Sequence, residues 1–224
     1  MEVLVQVEGL SKAYGSQHII NHCNLTIQKN RLIGIIGENG IGKTTLLKII
    51  AGVCEYREGT IDYADISISY LFNREDFYKW MKVGDAVAYY KDFYQDFDEE
   101  RARRLLQESS LSLNDKISNL STGNVERLCM ILALSRQVDL YLFDEPYGGI
   151  DPAYKKEVKR LLLSNMKEGA SVVMVTHLLK DMEFLFDQII IMKESGVELI
   201  DADWIREQNL SLEQYYLEET KHDK

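Results

Sequence analysis

The stretch that most restricts this chain lies at residues 32–45, where the apolar run Leu32-Ile33-Gly34-Ile35-Ile36 passes straight into Gly37-Glu38-Asn39-Gly40-Ile41-Gly42-Lys43-Thr44-Thr45. A short, continuously apolar run is the form of a central parallel strand buried on both faces. Beyond the glycines, Leu46, Leu47, Ile49 and Ile50 recur at the spacing of a buried helix face. A strand, a glycine-rich turn and a helix in that order point to an α/β fold. The turn itself fits the pattern G-x-x-x-x-G-K-S/T. Glycines let the backbone approach a ligand and turn its N–H groups inward, and the helix N-terminus adds a partial positive charge. Dense phosphate charge is the natural occupant. Lys43 is placed to reach the β- and γ-phosphates, and the Thr44 hydroxyl to serve as an oxygen ligand for Mg²⁺.

The rest of the chain supplies partners for that strand. Residues 3–7 alternate as a strand and residues 25–27 form another, with a turn expected over 10–15 that carries one aromatic, Tyr14. Residues 60–63 and 66–71 read as short strands joined by Ala64-Asp65. From 75 to 118 the pattern changes to helices, at 83–94 and 99–107, rich in charge and aromatics. Tyr78, Trp80, Tyr89, Tyr90, Phe93, Tyr94 and Phe97 exceed what a small helical insertion needs for its own core, which suggests an exposed patch for a partner. A second apolar run, 140–143, ends in Asp144-Glu145-Pro146. Two carboxylates then stand at the carboxyl edge of a sheet, where open α/β folds bind ligands. Asp144 suits a Mg²⁺ shell and Glu145 a general base on an attacking water. Pro152, capped by Asp151, can start a helix running to about 167. A third buried strand, 172–175, ends in Thr176-His177, and 189–192 with 197–200 read as a hairpin across Ser195-Gly196. The remainder, 201–224, reads as short acidic helices.

Composition narrows the partners. The chain has 224 residues, with 36 acidic against 26 basic, a formal charge of -10 that offers no footprint to a nucleic-acid backbone. Cys23, Cys54 and Cys129 are far apart and form no C-x-x-C pair, as expected of reduced thiols in a cytosolic protein. The N-terminus lacks a basic region followed by an apolar one, and no run approaches the ~18 apolar residues of a membrane span. The expectation is one soluble domain, 1–224, with a helical insertion at about 73–118 and short C-terminal helices at about 201–224.

Leu120-Ser121-Thr122-Gly123-Asn124, at the start of an expected helix over 125–137, resembles the L-S-G-G-Q signature of ABC-type ATPases. Phosphate loop, signature and acidic strand follow one another in the order of that family. The resemblance covers essentially the whole chain. It implies a phosphate-loop NTPase core of the RecA-like kind, with an antiparallel β subdomain and an inserted α-helical subdomain. Residue by residue, it implies that Tyr14 stacks on adenine, and that Gly37, Asn39, Gly40, Gly42, Lys43, Thr44 and Thr45 hold the phosphates. It makes Asp144 the metal-shell acid, Glu145 the catalytic base, Asp151 part of a dimer-contacting loop and His177 the γ-phosphate switch. Members work as head-to-tail dimers, so Ser121 and Gly123 would act on ATP bound to the other subunit. Two departures stand out. Asn73 replaces the glutamine that usually touches Mg²⁺, and the signature carries Thr122 and Asn124 for glycine and glutamine.

The resemblance therefore implies an ATP-hydrolysing subunit of an ABC transporter, with ATP and Mg²⁺ as cofactors. It would dock on separate membrane-spanning permease subunits as a homodimer or heterodimer, cytoplasmic and peripheral at the inner face of the cell membrane, with no segment inserted. The lean insertion and short C-terminus are similar to the drug, peptide or lantibiotic export branch. The alternatives are a non-transport ABC ATPase, such as an assembly or translation factor, and a small-molecule kinase. Against the kinase stands Glu145 after Asp144, since a kinase must exclude water and not activate it.

Overall fold

The computed structural model describes residues 2–71, 77–146, 152–175 and 183–221, with the side chains of 152–158, 220 and 221 left aside. In chain order these hold β1 (Val3–Tyr14), β2 (Gln17–Gln28), β3 (Leu32–Gly37), α1 (Lys43–Ile50), β4 (Glu58–Tyr63) and β5 (Ile68–Leu71). Then come α2 (Val83–Phe93), α3 (Glu99–Glu108), α4 (Thr122–Leu134), β6 (Leu140–Asp144), α5 (Pro152–Asn165) and β7 (Ser171–Val175). The hairpin β8 (Gln188–Lys193) and β9 (Gly196–Asp201) and two helices, α6 (Ala202–Glu207) and α7 (Leu212–Lys221), complete the sequence.

Two sheets result. One is antiparallel, in the order β2-β1-β4; the other has six strands in the order β5-β6-β7-β3-β8-β9, parallel except for its β9 edge. Alternation along the parallel strands divides the core between the faces of the larger sheet. Leu140, Leu142, Val173, Val175 and Ile190 pack with α1 and the antiparallel sheet. Tyr141, Phe143, Val172, Met174, Ile189 and Ile191 point the other way, toward the helices of the insertion and α4. Helix α4 is buried on nearly every side from Leu128 to Leu134, so it is the central post of that layer.

Four expectations are corrected. No turn interrupts β1 at 10–15; the strand runs on to Tyr14, and the turn is confined to Gly15-Ser16. Gly9 sits at φ +59 where the pairing with β2 slips, a bulge that bends the strand and carries it through turn-forming composition. The strand expected over 66–71 starts only at Ile68, so residues 64–67 form the connection; β4 pairs with β1 and β5 with β6. Helix α4 begins at Thr122 and not at Val125, because the Ser121 side chain caps it by accepting from the Asn124 N–H at 3.3 Å. The last hairpin turns at Glu194-Ser195, with Gly196 already the first residue of β9.

The insertion is pinned to the core at Arg136. Its guanidinium donates from Nε and Nη2 to the Asp96 carboxylate at 2.8 and 2.7 Å, and from Nη1 to the Ile68 carbonyl at 2.8 Å. It also lies 4.0 Å over the Tyr94 ring. The two side chains are only 12% and 23% exposed, so this is a fork–fork pair in poor contact with water. Arg136→Met is expected to cost about 2–4 kcal/mol, since it strands Asp96 beside an apolar stem. Urea unfolding of the two proteins measures it, and a difference below about 0.5 kcal/mol would place Arg136 among ordinary surface pairs.

Candidate functional site

The phosphate loop leaves β3 at Gly37 and enters α1 through Gly42, which has φ +114 and serves as N-cap. Both glycines are required sterically. A Cβ on Gly37 would stand 2.8 Å from the Met192 carbonyl oxygen, and one on Gly42 would stand 2.7 Å from Cγ2 of Ile19. Gly40, at φ +82, has nothing within 4 Å of where a Cβ would be, so it lies at the open crest with Glu38 and Asn39. The first turn of α1 carries no acidic residue, leaving the N–H groups of Lys43, Thr44 and Thr45 to an anion.

Lys43 is 6% exposed and folded back on the loop, donating to the carbonyls of Gly37 and Glu38 at 2.8 and 2.9 Å. Burial pushes its pKa below the usual lysine value, opposed by the carboxylates of Glu145 and Asp144. Those carboxylates arrive on β6, from the other side of β7. Asp144 hydrogen-bonds the Thr44 side chain, yet its Oδ1 is buried without a hydrogen-bond partner among the described residues. Burial raises the Asp144 pKa, with Glu145 adding to the rise and Thr44, Lys48 and Lys43 opposing it. Glu145 is exposed and left-handed, φ 49, and its N–H donates to the Val175 carbonyl at 3.1 Å. A non-glycine residue in that region costs on the order of 1–3 kcal/mol and is held there only by its surroundings, which here turn the side chain out of the sheet edge.

Tyr14, at the end of β1, is 53% exposed. Lys12 Nζ stands 4.7 Å over its ring while donating to the Glu55 carbonyl, and Cys54 Sγ lies 3.6 Å from its hydroxyl. One ring face is thus covered by the Lys12 ammonium. Ser121 and Gly123 head α4, and a Cβ on Gly123 would meet nothing within 4 Å. Among the described residues no hydrogen bond or ion pair joins these two to Lys43, Thr44 or Asp144. The structure thus brings Gly37, Lys43, Thr44, Asp144 and Glu145 together and leaves Ser121 and Gly123 apart. Asn73, Asp151 and His177 lie outside the described residues. Sequence reasoning passed over Lys48, which acts on Asp144; it falls four residues after Thr44 on α1, a spacing that places both on one helix face.

Residues 20–148 match the ABC transporter family. The chain belongs to that family. It is 27% identical over 212 residues to the uncharacterized ABC transporter ATP-binding protein YdbJ of Bacillus subtilis, covering 88% of this chain and 68% of that protein. It is 29% identical over 222 residues to the sulfate/thiosulfate import ATP-binding protein CysA of Bacillus cereus, covering 87% of this chain and 60% of that one. Among solved structures, an ATP binding subunit of an ABC transporter superposes with a TM-score of 0.87 at 25% identity, covering 97% of this chain and 99% of that one. This ABC protein has the fold expected of the family, with an antiparallel β subdomain, a parallel core and an inserted helical region. It is an ATP-binding subunit whose ATPase activity is coupled to transport, and subunits of this kind work with membrane permease subunits. Export is not supported, because an ATP-binding protein named for import stands among the relatives. Among the described residues no helix is long and apolar enough to cross a membrane.

Proposed function

We propose that this ABC subunit binds MgATP on residues 37–45 and hydrolyses it with Glu145 as general base, in a head-to-tail dimer that closes each ATP against Ser121 and Gly123 of the other copy. The observation that carries this reading is the convergence of buried Lys43, Thr44 and the orphaned Oδ1 of Asp144 at the mouth of one glycine loop. That donor set fits Mg²⁺. A hydroxyl and one carboxylate are the few protein oxygens such a site requires, the rest coming from phosphates and water. Accordingly, no cluster of three or more His, Cys, Asp or Glu is found among the described residues. Thr44 and Asp144 would hold the ion, which when bound neutralises charge developing on the phosphates. Lys43 turns its ammonium from the carbonyls of Gly37 and Glu38 to the β- and γ-phosphates, and Tyr14 stacks adenine on the ring face opposite Lys12. Glu145 accepts the proton of the attacking water, while Asp144, lying deeper, holds its charge toward Thr44. Asp151, His177 and Asn73 keep the roles that the family resemblance implies, in a single domain, 1–224, peripheral at the inner face of the membrane.

The docking surface is proposed on the insertion. Of the seven aromatics singled out in the sequence, Tyr90, Tyr94 and Phe97 are partly buried, packing on one another or under Arg136. Tyr78 and Trp80 stack at 5.8 Å and remain 69% and 68% exposed; Tyr89 and Phe93 stack at 4.3 Å and remain 48% and 67% exposed. Rings that satisfy each other yet stay wet suit an interface anchor. Tyr89→Ala with Phe93→Ala is expected to weaken co-purification with the permease subunits about tenfold or more and to leave hydrolysis by the isolated subunit within about twofold. Loss of basal hydrolysis to the same degree would make the pair core residues.

A further inference from the structure

The phosphate loop is built against the end of β8. Gly37 pairs in register with Met192, the Met192 carbonyl limits Gly37 to glycine, and Cε of Met192 would stand 3.6 Å from a Cβ on Gly42. The next residue, Lys193, is largely withdrawn from solvent. Its side chain is 7% exposed and its Nζ bridges Glu198 on β9 at 3.1 Å and Glu219 on α7 at 2.7 Å. Helix α7 is itself seated: Leu212 is buried, with its N–H donating to the Glu183 carboxylate at 3.2 Å, and Tyr216 is packed on the core. Burial first, and then the Glu38 carboxylate of the loop, push the Tyr216 pKa upward, with the Glu38 backbone opposing them. A cavity of about 380 Å³ lies between loop residues Glu38 to Ile41, the start of β2 at Gln17 to Asn21 and the β8–β9 end at Met192, Lys193 and Val197, so beyond the Gly37–Met192 pairing the crest of the loop is open on that side.

We propose that Lys193 and Tyr216 are positioning residues for the phosphate loop, through which the C-terminal helix 212–221 sets the geometry that ATP's phosphates meet. The proposal rests on the reading that residues 37–45 hold those phosphates. Lys193 fixes the end of β8 that carries Met192, and Tyr216, one turn before Glu219 on the same helix, feels the charge of Glu38. Asp144 and Glu145 come from β6, on the far side of β7 and β3 from β8, so the chemical step is left alone. The effect is therefore on nucleotide affinity and not on turnover.

The chain of residues 1–224 carries the test. Lys193→Met keeps the stem and removes the charge, and Glu198 and Glu219, 55% and 34% exposed, can be rehydrated. It is expected to raise the ATP KM, and the Kd for MgATP and MgADP by calorimetry, about tenfold, the scale of a sub-ångström loss of preorganisation, with kcat within about twofold. Lys193→Arg is expected to restore the parent values. Glu219→Gln and Tyr216→Phe are expected to raise KM less and in the same direction, and they carry the test should Lys193→Met fail to fold. Parent KM in both of these, or in a folded Lys193→Met whose melting temperature alone has dropped, would overturn the proposal. Lys43→Ala is titrated alongside: parent-like MgATP binding by that variant would instead overturn the phosphate-loop reading beneath it.

Discussion

Lys43→Ala is expected to lose MgATP binding and to keep its fold. Without nucleotide, the ammonium is held by two carbonyls of its own loop, 2.8 and 2.9 Å away, in a place where burial depresses its pKa. A cation kept there against its hydration is held for an anion. Hydrogen bonds to charged groups contribute about 1.5–3 kcal/mol each, and two lost to phosphate oxygens amount to about 3–6 kcal/mol, or roughly 10²–10⁴-fold in Kd. The fold survives for a reason of sign. The folded pKa of Lys43 lies below its unfolded value, so the charged form opposes folding at every pH below the folded pKa, and that penalty fades as pH rises toward the unfolded value. Removing the side chain relieves the penalty and exposes the Gly37 and Glu38 carbonyls to water. Calorimetric titration with MgATP and a thermal melt measure the two halves, and unchanged affinity would place the phosphates elsewhere.

Glu145→Gln is expected to slow hydrolysis by roughly 10²–10⁴-fold, the usual worth of general-base help, and to leave ATP binding in place. The substitution keeps the shape and removes the basicity. It also keeps the left-handed backbone, φ 49, since the Glu145 N–H to Val175 carbonyl bond is a main-chain bond. Uncleaved ATP would continue to join Lys43 of one copy to Ser121 of the other, so an ATP-dependent dimer should accumulate on size exclusion. Adding Ser121→Arg should prevent it by placing a long cation at the helix start where the phosphate must come. A Glu145→Gln protein that turns over ATP at the parent rate would remove Glu145 from the mechanism.

The site's chemistry was legible because it is local. Gly37 to Thr45 form one unbroken stretch, and Asp144 and Glu145 end an apolar run that could only be a buried strand. What composition hid were the long-range substitutions for local signals. Leu10 to Gly15 has the residues of a turn, yet pairing with β2 and the bulge at Gly9 hold it extended to Tyr14. Ile66-Ser67 continues the alternation of the strand after it, yet the Asp139 carboxylate accepts from the Ser67 N–H and hydroxyl and the strand begins only at Ile68, whose carbonyl Arg136 holds. Ser121 was placed ahead of its helix when it is the cap, a difference of one hydrogen bond to Asn124. The support of the loop by Lys193 and Tyr216 joins residues far beyond it in the chain, and periodicity carries no signal over that distance.

The grip of Arg136 also decides how a push would travel. Helix α4, 13 residues and so about 20 Å long, starts at the cap Ser121 and ends at Ser135, whose carbonyl accepts from the Asp98 N–H beside the Asp96 fork. Arg136 meanwhile holds Ile68 on the edge strand of the sheet. One guanidinium therefore ties the insertion, through Asp96, to the edge strand, through Ile68, so neither can shift against the other without breaking that joint, whereas the Ser121 end of α4 is closed by its own cap.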